Sequence, residues 1–253
     1  MNEYIEGKRP VIEALRTGIP LREVLFADNV QHDGLIQDID RKARAAHIPV
    51  KTVPRHTLDE QSARGSHQGV MALTRSFPYS GFNDILAIAH RQAANNGGHA
   101  LIVVLDHITD EGNLGAIARS AEVVGAAGII LPNKRSAQVT AATYKSSAGA
   151  ITHLAVARVA NIGKALDRLK EEGFWVAGAS ERADQEIWDA DLRGPICLVM
   201  GSEGDGLARL TQTKCDFLIA LPQVGQTASL NVAQSATACM YEYLRQNRPS
   251  AKE

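Results

Sequence analysis

The polar residues best placed to do chemistry fall in three loops, each directly after a short apolar run. The first carries Asp106, Asp110 and Asn113 and enters a helical pattern bearing Arg119, with Asn113 read as the helix N-cap. A guanidinium near a helix start suits phosphate oxygens, which it meets with a planar fork; a surface ion pair would use the same side chain. The second loop, residues 201–206, sets Glu203 among Gly201, Gly204 and Gly206. Glycines there admit close backbone approach to a ligand, and they equally serve a tight turn. The third loop ends in Ser229, Leu230 and Asn231, where Ser229 reads as the cap of the last long helix. Asn231, a middling helix former just behind that cap, is the polar group left to face a site.

Other chemistries have little support. The chain has no HExxH pair, no GxxxxGK phosphate loop and no GxGxxG fingerprint. Its three cysteines, Cys197, Cys215 and Cys239, form no CxxC pair, so neither a zinc site nor a disulfide scaffold is expected. The 27 basic residues are matched by 28 acidic ones, and division after Ser76 gives 11 basic and 10 acidic residues, then 16 and 18. Neither part is a basic tail, so any phosphate contact has to come from a local patch. No apolar run approaches the roughly eighteen residues of a membrane span, and the first nine residues are polar. The chain reads as a soluble, cytoplasmic protein.

The elements that must hold these loops are legible from hydrophobic periodicity. Residues 1–76 alternate three helical and three strand-like segments: a helix through Val11, Ile12 and Leu15 stopped at Gly18, a strand at Val24, Leu25 and Phe26, then a helix through Leu35, Ile36, Ile39 and Ala43. Strands at 50–53 and 69–73 follow, with a polar loop at 63–68. Residues 77–98 read as an interdomain connection around an apolar-periodic piece at Ile85, Leu86 and Ala89 that can pack as a helix. From residue 99 onward, apolar runs at 101–105, 129–131, 154–157, 174–177, 196–200 and 217–221 alternate with amphipathic helices. Several of these runs read as strands buried on both faces, and the fold class is α/β with a parallel sheet. In such sheets ligands bind at the carboxyl ends of the strands, where the three loops lie.

Taken together, the three loops resemble the motifs of the SpoU/TrmH class of S-adenosylmethionine-dependent RNA ribose methyltransferases, through residues 105–119, 198–207 and 219–242. Residues 4–15 and 65–72 are similar to the amino-terminal substrate-binding domain of the RlmB-like branch, which itself resembles ribosomal protein L30e. The resemblance implies an L30e-like RNA-binding domain (1–76), a linker (77–98) and a SPOUT methyltransferase domain (99–253) with a deep carboxyl-terminal trefoil knot. It also implies a homodimer whose last helix, 229–246, contributes to the interface, and no metal. The substrate it implies is RNA, foremost a guanosine of 23S rRNA; a tRNA, a thiostrepton-resistance-type rRNA target and a non-catalytic assembly role are the rivals. By the same resemblance Gly178, Ala179, Gly201, Leu221 and Leu230 cradle the cofactor, while Asn113, Arg119, Glu203, Ser229 and Asn231 form the catalytic set. Arg119 is implied to activate the ribose hydroxyl. A guanidinium titrates above about 12, so binding phosphate and steadying the developing alkoxide is the cheaper role. His67 and Gln68 either touch RNA or close a strand turn, with the structural role preferred. Two departures stand out: Glu111-Gly112 replaces the family's usual proline before Asn113, and Ala228 stands where a glutamate is frequent.

Overall fold

The computed structural model describes residues 4–62, 65–226 and 229–247; Ala228 lies outside them. A first, mixed sheet has the order β1-β4-β2-β3. Its strands are β1 (Tyr4–Glu6), β2 (Leu21–Ala27), β3 (Val50–Val53) and β4 (Val70–Thr74), and its helices α1 (Lys8–Arg16), α2 (Gly34–Ala45) and α3 (Arg55–Gln61). β4 runs antiparallel to both β1 and β2, and β2 runs parallel to β3. The three-residue β1 is too short to announce itself by alternation, and the sequence reading missed it.

The second sheet is six-stranded and parallel throughout, in the order β10-β8-β9-β5-β6-β7. Its strands are β5 (Ala100–Leu105), β6 (Gly128–Pro132), β7 (Val156–Val159), β8 (Trp175–Ala179), β9 (Pro195–Met200) and β10 (Phe217–Ile219). β5 and β6 are buried at every position, as a sheet covered on both faces requires. Along β5, Leu101, Val103 and Leu105 enter one apolar cluster and Ala100, Ile102 and Val104 the other. The first cluster takes in α5 (Glu111–Val123) and α9 (Val232–Gln246) and continues into residues of the first sheet; the second takes in α4 (Phe82–Asn95) and α7 (Ile162–Glu171). The alternation of one strand thus assigns helices to two layers.

The segment 77–98 is therefore largely the packed helix α4, whose Ile85, Leu86 and Ala89 are buried against the second sheet. Two short helices complete the unit, α6 (Ala141–Ser146) and α8 (Arg209–Gln212). α6 sits so close to α5 that a Cβ on Gly115 would lie 1.9 Å from Ser146 Oγ and 2.6 Å from the Thr143 carbonyl oxygen. The apolar run at 154–157 becomes a strand only from Val156, two residues later than expected. Asn161 caps α7, its side chain accepting from Lys164 N at 2.9 Å.

Candidate functional site

The three loops meet at the carboxyl edge of the parallel sheet because β5 lies beside β9 and Asp106 closes the gap between their loops. Asp106 is fully buried; Oδ2 accepts from Ala208 N at 2.8 Å and Oδ1 faces His107 Nδ1 at 2.6 Å. A buried carboxylate needs such partners, and here they pin the second loop to the first. The second loop is a hairpin in which Ser202 and Gly206 exchange backbone hydrogen bonds of 3.0 Å. A Cβ on Gly201 would stand 2.1 Å from the Gly206 carbonyl carbon. The backbone that comes so close to Gly201 is thus the chain's own, where the sequence reading gave that space to a ligand.

Both helix caps differ from expectation, and in both the side-chain Nδ2 of the asparagine remains available to donate. Asp110, not Asn113, caps α5: its Oδ1 accepts from Asn113 N at 2.7 Å. Asn231, not Ser229, caps α9, with Oδ1 accepting from Ala233 N at 2.9 Å. Asn113 Nδ2 then donates to Glu203 Oε1 at 2.5 Å, and Asn231 Nδ2 donates to the same oxygen at 2.8 Å and to Asn113 Oδ1 at 3.0 Å. Three loops far apart in sequence thus contribute one polar triangle, in which two amides fix the direction of one carboxylate. Asp, Ser and Asn are all good caps, so local chemistry alone did not rank them.

Two cavities flank this triangle, sharing the 202–206 hairpin as a wall. One, of about 420 Å³, is lined by Ala179, Gly201, Leu221, Leu230 and Ser229, with Glu203 at the hairpin. Gly178 is not among its lining residues: a Cβ there would strike Cys215 Sγ, Leu218 and Leu207 at 2.7–2.9 Å, so this glycine serves packing behind the cavity. The other, of about 580 Å³, is lined by His107, Asn113, Arg135, Glu203 and Asp205. His107 and Arg135 were not singled out by sequence; the signal available was a charged residue, Asp106, ending an apolar strand.

Arg119 is not brought to the triangle. It is exposed and lines a separate depression with Thr17, Gly18 and residues 147–150. At about 100° per residue, six residues along a helix carry a side chain roughly 240° round the axis from Asn113. Among the described residues, no cluster of His, Cys, Asp or Glu could hold a metal ion.

Residues 100–241 match the SpoU rRNA Methylase family. The chain belongs to that family. Residues 4–80 match the RNA 2'-O ribose methyltransferase substrate-binding family, so both SpoU-type units are present. A Bacillus subtilis (strain 168) protein, YacO, assigned to the TrmH family of tRNA/rRNA methyltransferases, is 38% identical over 248 residues, covering 98% of this chain and 97% of its own. A Staphylococcus aureus (strain MSSA476) protein of the same assignment is 39% identical over 243 residues, covering 95% of each. The SpoU methyltransferase AviRb from Streptomyces viridochromogenes, solved with AdoMet, superposes with a TM-score of 0.69 at 27% identity, over 97% of this chain and 90% of that one. As a SpoU/TrmH member the chain is an RNA methyltransferase.

In this SpoU protein the two polar residues of the first unit have structural duties. His67 is buried, with Nδ1 accepting from Gly69 N at 3.0 Å and Nε2 facing Asp59 Oδ1 at 2.8 Å. Gln68, at φ 52°, turns its Oε1 toward Lys8 N at the start of α1. Both close the turn before β4, in line with the preferred reading.

Proposed function

We propose that the chain is an S-adenosylmethionine-dependent RNA 2'-O-ribose methyltransferase of the RlmB-like branch, acting on a guanosine of 23S rRNA in the cytoplasm. The observation that carries this is the polar triangle of Asn113, Glu203 and Asn231 between two cavities. A two-substrate transfer needs two adjoining sites and fixed groups where they meet. The 420 Å³ cavity fits the cofactor in size and character, with apolar Leu221, Leu230 and Val232, polar Ser229 and Ser235, and charged Glu181 and Arg182. Bound there, S-adenosylmethionine supplies an activated methyl group. Asn113 and Asn231 hold Glu203 in one orientation, and the amides and carboxylate together position the ribose hydroxyl.

Arg119, exposed and with no hydrogen-bond or ion-pair partner among the described residues, is assigned to RNA phosphate. Its distance from its own triangle favours a homodimeric site completed across the interface. We read the first unit as the L30e-like RNA-binding domain, residues 77–98 as the connection, and the carboxyl-terminal segment as the knotted part of the methyltransferase domain.

The test is transfer of radiolabelled methyl from S-adenosylmethionine into rRNA and into tRNA, each from cells lacking the protein, with nuclease digestion and mass spectrometry of the product. Label as 2'-O-methylguanosine in 23S rRNA is expected. Label in tRNA alone would replace the substrate, and label in neither would remove the proposal. Co-expressed Arg119→Ala and Glu203→Ala chains are expected to recover part of the activity each lacks, because one of the two sites in a mixed dimer would be intact.

A further inference from the structure

The 580 Å³ cavity on the other side of the hairpin has a chemical character of its own. It is walled by the loop after β5, the loop after β6 and the 202–206 hairpin. The first two loops are tied together by Ala137 N donating to Ile108 O at 2.7 Å. Five non-glycine residues among those described have positive φ, and two of them, His107 at 64° and Arg135 at 53°, line this one cavity. Left-handed backbone costs on the order of 1 kcal/mol at a residue with a side chain, and such positions gather at functional sites.

Its hydrogen-bonding inventory is lopsided. Asp106 accepts from His107 Nδ1–H, and Nε2, an acceptor in the tautomer that carries its proton on Nδ1, has no partner among the described residues. The Asp205 carboxylate has no hydrogen-bond or ion-pair partner among the described residues, Asp110 has one oxygen spent on the α5 cap, and Glu203 has one spent on the amides. Arg135 is the one Arg or Lys among the described residues lining the cavity, and it forms no ion pair among the described residues. The wall therefore offers several acceptors and one planar donor fork. Of the four RNA bases, guanine matches best: N1–H and the 2-amino group donate side by side, while O6 and N7 accept a guanidinium.

We propose that this cavity takes the acceptor nucleotide, unstacked from the RNA, and that His107, Asp205 and Arg135 select guanine there. The proposal rests on the methyltransferase reading above and adds how the base is chosen. The cavity exceeds the lower size of ligand pockets, about 300 Å³, so a single nucleotide has room. Bases reached by enzymes in this way are read on their Watson–Crick edge by a closed pocket. His107 is then a specificity contact whose ring is aimed by buried Asp106, and Glu203 on the shared hairpin lies where nucleotide and cofactor adjoin.

The full-length, isotope-labelled protein saturated with S-adenosylhomocysteine would be titrated with guanosine, inosine and adenosine 5'-monophosphates and followed by NMR. The expected result is shifted amides at residues 107–110, 134–136 and 203–206 with the guanosine nucleotide. Inosine monophosphate, which lacks the 2-amino group, should bind about tenfold more weakly. His107→Gly is the chosen variant because glycine suits a φ of 64°, so the loop is kept while the ring is lost. It should weaken the guanosine nucleotide about tenfold and leave S-adenosylhomocysteine binding unchanged. Asp205→Asn should erase most of the guanosine–inosine difference, a change that a merely structural role would not produce. Equal binding of all three nucleotides, shifts confined to other surfaces, or an unaltered affinity in His107→Gly would each overturn the pocket. Failure of RNA methylation by the wild type would instead sink the function proposed above, because nucleotide binding is read without turnover.

Discussion

Two histidine–aspartate pairs of nearly equal length are built in opposite senses. In the first unit the ring of His67 is 2% exposed and its partner Asp59 is 57% exposed. In the second, Asp106 is 0% exposed and the ring of His107 is 33% exposed. Burying the imidazole commits both of its nitrogens to closing a turn, so the pair is a structural staple. Burying the carboxylate anchors one ring nitrogen and a backbone amide of the neighbouring loop, and leaves the second nitrogen toward a cavity. The identity of the pair says little about its use; which member water reaches says much more.

That contrast can be broken most severely at the hairpin Asp106 holds. Gly201→Ala puts a methyl group 2.1 Å from the Gly206 carbon, so the hairpin has to open and the triangle with it. Methyl transfer to RNA should fall by at least about 100-fold. Amide spectra of the first unit should be unchanged, and their wholesale loss would mean that the hairpin is a folding element of the entire chain. Next in size, His67→Ala should lower stability by about 3 kcal/mol, from a lost ring and an unpaired Gly69 N–H, in a denaturant titration. Its turnover, measured where the variant is fully folded, should match the wild type; a specific catalytic defect would show that the first pair is not merely a staple.

The same burial rule extends to the thiols. Burial pushes Cys215 and Cys239 up to about 12, and Cys197 well above the ordinary thiol range. Since the folded values lie above the unfolded ones, the neutral thiols hold their contribution at lower pH and lose it only as pH climbs toward the raised values. At pH 8 a disulfide reagent should therefore label none of these three cysteines in the native protein and all of them after unfolding. Rapid native labelling of Cys239 would show that the 420 Å³ cavity opens more widely than its lining suggests. The smallest effect belongs to Asp59→Asn, which should cost less than about 1 kcal/mol, because the carboxylate is largely solvated. A cost as large as that of His67→Ala would erase the asymmetry between the two pairs.

Some of the site was visible before any fold. Runs such as 101–105 and 196–200 are too apolar for anything but strands covered on both sides, the segments after them carry Asn113 and Glu203, and Asn231 follows the run 217–221. Those residue types mark polar positions that the core does not need. Their mutual bonding was not legible, because the choice of cap among Asp110 and Asn113, or Ser229 and Asn231, depends on where each helix is able to start.

The amino-acid sequence by itself determined the α/β class, the parallel second sheet, the family and the loops in which the chemistry had to lie, since periodicity and loop motifs are local properties of the chain. Tertiary structure decided the rest. It set Gly178 against Cys215 and Gly201 against Gly206, turned Arg119 away from the triangle, buried Asp106 and left His107 about a third exposed. Each of those outcomes depends on which strands become neighbours and how closely their loops pack, and distance across a sheet is not written in the spacing along a chain.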